Sequence, residues 1–73
     1  MKTNSNLAKI LLAKATERTP EEVPGDAAVD NWDAWDSLSH MRLILAMESH
    51  LGRELPPEAV VEIGSLEDIG RYL

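Results

Sequence analysis

The sequence predicts an all-α fold: a small four-helix bundle with a long loop between the first and second helices and a short third helix. Three observations lead there. Apolar residues recur at helical spacing in four separate stretches. Proline and glycine fall at the ends of those stretches, with one exception at Gly70. No stretch alternates apolar and polar residues as a half-buried strand does. Seventy-three residues amount to one domain, residues 1–73, and a chain this short buries only about 60% of its unfolded surface.

The first helix is carried by Leu7, Ile10, Leu11 and Ala15, with Lys9, Lys14 and Arg18 on other faces. Its cap is expected within Thr3 to Asn6. Thr19-Pro20-Glu21-Glu22 has the form of a capping box with proline at the first helical position, enough for one short turn. Pro24-Gly25 breaks any continuation. Residues 23 to 36 then form a long connection, and long ordered loops are packed by their own side chains or functional. Val29 and one tryptophan are the expected anchors.

The second helix, about Ser37 to His50, ends at Gly52. It has two apolar stripes. Leu43, Ile44, Met47 and Leu51 should face the core, while Leu38, Met41 and Leu45 form a second stripe that includes the first turn. Leu55-Pro56-Pro57-Glu58 opens the short third helix with Val60 and Val61, closed by Gly64. Ser65-Leu66-Glu67-Asp68 starts the fourth with capping-box spacing. Its core residues are Leu66, Ile69 and Leu73. Gly70 inside it costs roughly 1 kcal/mol relative to alanine.

Composition excludes several classes. There is no cysteine, hence no disulfide and no thiolate metal site. Two histidines, His40 and His50, are too few for structural zinc, and they read as solvated surface groups. No metal site is expected. Asp30, Asp33 and Asp36 are spaced by three, not two, so no EF-hand loop is present. The polar start, Met1 to Asn6, lacks the apolar core of a signal peptide, and no apolar run approaches the roughly 20 residues of a membrane span. A soluble, cytoplasmic, monomeric domain is the expectation.

Charge is unevenly placed. Residues 1–16 carry three lysines and no acid; residues 17–36 carry seven acids against Arg18; residues 37–73 carry six acids and three arginines, for a net of −6. This opposes nucleic acid, whose phosphates need a basic face, and suits encounter with basic protein surfaces.

The most informative segment is Trp35-Asp36-Ser37-Leu38, which sets a hydroxyl where the acidic loop meets the second helix. As a nucleophile, Ser37 needs a base and an orienting group. His40 lies three residues on, but there is no Gly-x-Ser-x-Gly elbow, and so short a chain offers little wall for a dry pocket. As a cap, Ser37 would serve only the helix. As an acceptor, it needs accessibility on a rigid element, a helix start that favours phosphate, and apolar neighbours for a partner to grip. Leu38 and Met41 supply the last. Of the two tryptophans, one is expected in the core and one at the rim of the site. Met41 and Met47 read as packing residues, Met41 adaptable enough for several partners.

Ser37 with Asp36 and Leu38, the run Met41-Arg42-Leu43-Ile44-Leu45-Ala46-Met47-Glu48 and then Leu51-Gly52 closely resemble the second helix of acyl carrier proteins. The order and spacing of the other elements extend the resemblance over nearly the whole chain. It implies that Ser37 receives 4′-phosphopantetheine from coenzyme A and that the arm's thiol carries an acyl group as a thioester. It implies recognition of Asp36 by a phosphopantetheinyl transferase and a docking surface of Leu38, Met41, Arg42, Leu45, Glu48 and Val60. The implied partners are that transferase, an acyl- or aminoacyl-loading ligase and downstream transferases; the chain itself is a carrier and not an enzyme. Carriers of fatty acid synthesis usually show acids two and five residues after the serine. Ser39 and Arg42 stand there instead, which points to a specialised biosynthetic pathway. Peptidyl carriers usually show Gly-Gly near the serine, and Ala34-Trp35-Asp36 does not. An aminoacyl or peptidyl cargo, such as D-alanyl, is the alternative within the family, and an unmodified helical adaptor the alternative outside it. Cargo is expected between the second and third helices, among Leu45, Ala46, Val60 and Val61, in a pocket small or closed without a chain attached.

Overall fold

In the computed structural model, residues 3–73 are described, with side chains from residue 6 onward. The element order is α1 (Thr3–Thr16), a 3₁₀ turn (Pro20–Glu22), α2 (Ser37–Leu51), α3 (Pro57–Glu62) and α4 (Leu66–Arg71). Four α-helices stand in the expected order. The principal helix–helix packings are α1 against α2 and α1 against α4.

α1 buries Ala8, Leu11, Leu12 and Ala15, a stripe at i, i+3, i+4 and i+7, with Ala13 beside it. Of the expected residues, Leu11 and Ala15 are in this stripe, and Ile10 is the one corrected. Ile10 is 45% exposed and Leu7 only packs at the core's edge. The small alanines Ala8 and Ala13 and the large Leu12 take the places expected of Ile10, and the alanines let α1 approach its neighbours closely. Because α1 already begins at Thr3, the residues expected to cap it lie within it, and its cap falls outside the described residues.

The helix also ends earlier than Arg18. Glu17 adopts φ 60°, the left-handed region. The Arg18 N–H donates to Ala13 O at 2.8 Å and the Glu17 N–H to Lys14 O at 3.2 Å. These are the two bonds of a Schellman end, built on a glutamate where glycine is usual. The buried Thr16 hydroxyl bonds back to Leu12 O at 2.8 Å. In the 3₁₀ turn, the Glu22 carboxylate accepts from the Thr19 N–H at 2.8 Å, as the capping-box spacing predicted.

The long loop is anchored at three buried side chains, Val23, Ala27 and Trp35. It is also tied through its backbone to the α3–α4 connection. The Val29 N–H donates to Gly64 O at 3.0 Å and the Leu66 N–H to Ala27 O at 3.4 Å, around a single bridge between Ala28 and Ser65. Val29 is therefore an anchor by its backbone, while its side chain is 48% exposed. Asn31 knots the loop: its Oδ1 accepts from the Ala28 N–H at 2.9 Å and its Nδ2 donates to Asp26 O at 3.0 Å.

α2 shows both expected stripes. Leu43, Ile44 and Met47 are buried, and Leu51 packs at the core's edge; Leu38, Met41 and Leu45 are exposed. Gly52 closes the helix at φ 73° with its N–H on Glu48 O at 2.8 Å. α3 buries Ala59 and is followed by buried Ile63. α4 begins as predicted: Ser65 Oγ accepts from the Asp68 N–H at 3.1 Å. The Asp68 carboxylate reaches one residue further back than a capping box requires, to the Gly64 N–H at 3.0 Å. Ile69 is the buried centre of α4, with Leu66 and Leu73 packed around it.

Candidate functional site at the start of α2

Asp36, not Ser37, caps α2. Its backbone is extended, and its Oδ1 accepts from the Ser39 N–H at 2.9 Å. That bond is the largest cause that holds the Asp36 carboxyl below the usual carboxylate pKa, so the group stays ionised beside the serine. Ser37 is thereby left as the first residue of α2, exposed, and its hydroxyl takes part in none of the hydrogen bonds among the described residues. Ser39 does the opposite work two residues on. It is buried, and its Oγ donates to Ala34 O at 2.8 Å, locking the end of the loop onto the first turn. The two serines thus divide tethering and availability between them.

Behind this turn sits a contact that sequence reasoning missed. Trp35 is the buried tryptophan, and its Nε1–H donates to His40 Nδ1 at 3.0 Å. The rings stack with centroids 6.0 Å apart and 25° between planes. The other ring nitrogen of His40, Nε2, lies 2.8 Å from Val60 O. His40 is therefore half-buried and bridged on both sides, which corrects its reading as a solvated group; His50 is exposed, as expected. No local pattern announces such a bridge, since Val60 is 20 residues away. Both His40 nitrogens face partners other than the Ser37 hydroxyl, so the imidazole is not set against the serine as a base, and among the described residues no side chain is hydrogen-bonded to that hydroxyl. Chemically the arrangement offers an accessible hydroxyl rather than an activated one.

An open groove of about 720 Å³ has Ser37 in its lining, together with Val29, Asp33, Trp35, Asp36, His40, Val60, Val61 and Ile63. This corrects the expected pocket. Val60 and Val61 do line it, but Leu45 and Ala46 do not, and it is open to solvent. Leu45 is instead 61% exposed on the outer stripe of α2. Trp32 is partly buried against the core and does not line the groove.

The remaining positions expected to meet partners divide in two. Leu38, Met41 and Leu45 stand clear of the protein. Arg42 lies among them, paired with the exposed Glu17 at 3.0 Å. Glu48 is half-buried and turned inward, its Oε2 accepting from the Leu55 N–H at 2.9 Å to close the α2–α3 connection. Val60 is half-buried and packed against the core, whereas its neighbour Val61 is 85% exposed.

Among the described residues, no cluster of three or more histidine, aspartate or glutamate side chains is placed to hold a metal ion, and no helix is long and apolar enough to cross a membrane. No curated protein matches the chain. A family model described as the phosphopantetheine attachment site matches residues 7–73, from the middle of α1 to the last residue. With the match running through every element that builds and supports the α2 start, the chain belongs to the phosphopantetheine attachment family of acyl carrier proteins, carrier domains that hold 4′-phosphopantetheine covalently.

Proposed function

We propose that Ser37 is the attachment point and that the protein presents an acyl group, as a thioester on the attached arm, to successive partner enzymes. One observation carries this reading: the Ser37 hydroxyl is exposed and unengaged at the first position of a long helix whose cap is supplied by Asp36. Ser37 Oγ attacks the phosphorus of coenzyme A that bears the pantetheine. The new Oγ–P bond replaces the bond to the adenosine half, which leaves as adenosine 3′,5′-bisphosphate. The serine proton passes to a base supplied by the transferase, since among the described residues none is hydrogen-bonded to Oγ. The phosphodiester then lies by the α2 N-terminus, where the helix dipole favours negative charge.

Leu38, Met41 and Leu45 form the surface a partner grips, with Arg42 between them and Asp36 marking the serine for the transferase. Their exposure on one face of α2 supports this. Such a stripe is small, which suits contacts that must release as readily as they form. The partners are a phosphopantetheinyl transferase, an acyl- or aminoacyl-loading ligase and downstream transferases. The setting is a specialised biosynthetic pathway in the cytoplasm, served by a monomeric single-domain carrier. The cation at Arg42 and the buried, internally bonded Ser39 support a docking face unlike the acidic one used in fatty acid synthesis.

The test is incubation with coenzyme A, magnesium and a permissive phosphopantetheinyl transferase, followed by intact-mass measurement. Wild-type protein gains one phosphopantetheinyl group and Ser37→Ala gains none. Persistent lack of modification by several transferases would favour the adaptor.

A further inference from the structure

We infer that His40 is a positioning residue that clamps α3 against the start of α2 and so sets the second wall of the groove beside Ser37. The argument starts from α3 itself. It has six residues, far below the length at which a helix stands alone in water. Its last carbonyls lack intrahelical partners. The principal packings of the bundle are those of α1 with α2 and α4, so α3 depends on a few attachments: buried Ala59 and Ile63 and half-buried Val60 on the core, the Tyr72 hydroxyl donating to Glu62 at its end at 3.0 Å, and, at its middle, the bond from His40 to Val60 O.

The bond pattern assigns the state of the imidazole. An indole N–H can only donate, so His40 Nδ1 must accept; a carbonyl can only accept, so Nε2 must carry the proton. His40 is the neutral Nε2–H tautomer, held between Trp35 Nε1 at 3.0 Å and Val60 O at 2.8 Å. Trp35 is immobilised by burial and by its own N–H bond to Trp32 O at 3.0 Å. The relay therefore runs from a fixed point in the loop, through α2, to the movable helix. Trp35, His40, Val60, Val61 and Ile63 are groove-lining residues, so the relay that holds α3 is also part of the surface that an attached apolar chain would meet. Breaking the His40–Val60 bond frees the wall formed by Val60, Val61 and Ile63 to move away from Ser37. That the occupant is a chain carried on Ser37 rests on the proposed attachment; the clamp does not.

The decisive measurement is nitrogen-15 NMR of the His40 ring in the full chain at neutral pH. The expected signature is protonated Nε2 with unprotonated Nδ1, together with a slowly exchanging Trp35 indole N–H. Amide exchange then compares His40→Phe, which keeps the ring area but neither bond, with His40→Gln, which can restore a donor to Val60 O. The Ile63 amide, bonded to Ala59 O, should exchange at least tenfold faster in His40→Phe and recover in His40→Gln, with α1 amides unchanged. On protein carrying an acyl thioester at Ser37, His40→Phe should also speed cleavage by hydroxylamine several-fold. An Nδ1–H tautomer in wild-type protein, or unchanged α3 exchange in a folded His40→Phe, overturns the inference; the tautomer measurement needs no variant to fold. Failure of Ser37 to gain mass sinks the attachment reading alone and leaves these results standing.

Discussion

Ser37 and Ser39 sit two residues apart on the same turn, and alanine at each should have opposite effects. Ser39 is 8% exposed and its Oγ donates to Ala34 O at 2.8 Å. Removing that hydroxyl forfeits a hydrogen bond with a net value of about 0.5–1.5 kcal/mol and leaves the Ala34 carbonyl only partly able to find water. The better helix propensity of alanine returns roughly 0.5 kcal/mol. Ser39→Ala should thus destabilise by about 1 kcal/mol, a Tm loss of about 4–8 °C for a domain of this size. The Asp36 cap survives, because Ser39 serves it with its backbone N–H. Ser37 gives up no bond, so Ser37→Ala should stay within about 0.5 kcal/mol of wild type. Thermal unfolding by circular dichroism and intact-mass measurement on the same samples check both halves. The expected pattern is a less stable protein that is still modified for Ser39→Ala, and an equally stable, unmodified one for Ser37→Ala. If Ser37→Ala unfolds early, or if folded Ser39→Ala is not modified, the division of labour between the two hydroxyls is wrong.

Other outcomes follow from the same structure. Met47 is fully buried on the core stripe of α2, so Met47→Ala should cost about 2–5 kcal/mol in denaturant unfolding, a large part of the roughly 4–11 kcal/mol expected for the whole domain. Gly52 sits at φ 73° with open space around it, so Gly52→Ala should lose about 1 kcal/mol through backbone strain alone, seen as a lower melting temperature with unchanged fold. Asp36 has its folded pKa lowered from the ordinary 3.8, first by the Ser39 N–H. Its contribution is thus fully present above that value and is lost as pH falls through the lower folded one. Asp36→Asn should flatten the pH dependence of stability below about pH 4 relative to wild type, measured by thermal melts across an acid series.

How much could be read in advance depended on how local the cause was. α2 was legible, with its exposed serine, buried Leu43-Ile44-Met47 face and outer Leu38-Met41-Leu45 stripe, because fifteen residues display the helical period fully. So were the Ser65 start of α4 and the turn at Pro20, where cap and partner lie within three residues. Ile10 misled because α1 packs through alanines, and a scan for bulk overlooks small residues that permit close approach. The end of α1 hid because a glutamate takes a conformation usually left to glycine. Val29 holds the loop through backbone bonds that no side-chain pattern encodes. The α3 side of the groove, Val60 and Val61, was read in advance, but its other lining residues and the His40 bridge were not, because they join loop, α2 and α3 residues far apart in the chain.

On the docking face proposed for α2, the Glu17–Arg42 pair shapes what an approaching enzyme would meet. The cation among Leu38, Met41 and Leu45 is already neutralised within the molecule, so this face is almost silent at a distance. The audible charge near Ser37 is that of Asp33 and Asp36. Such attraction fades within about 8 Å at physiological ionic strength, whereas contact between greasy surfaces is indifferent to salt. Arrival and grip are thereby uncoupled: added salt should slow the meeting of carrier and enzyme while leaving the duration of each visit nearly constant.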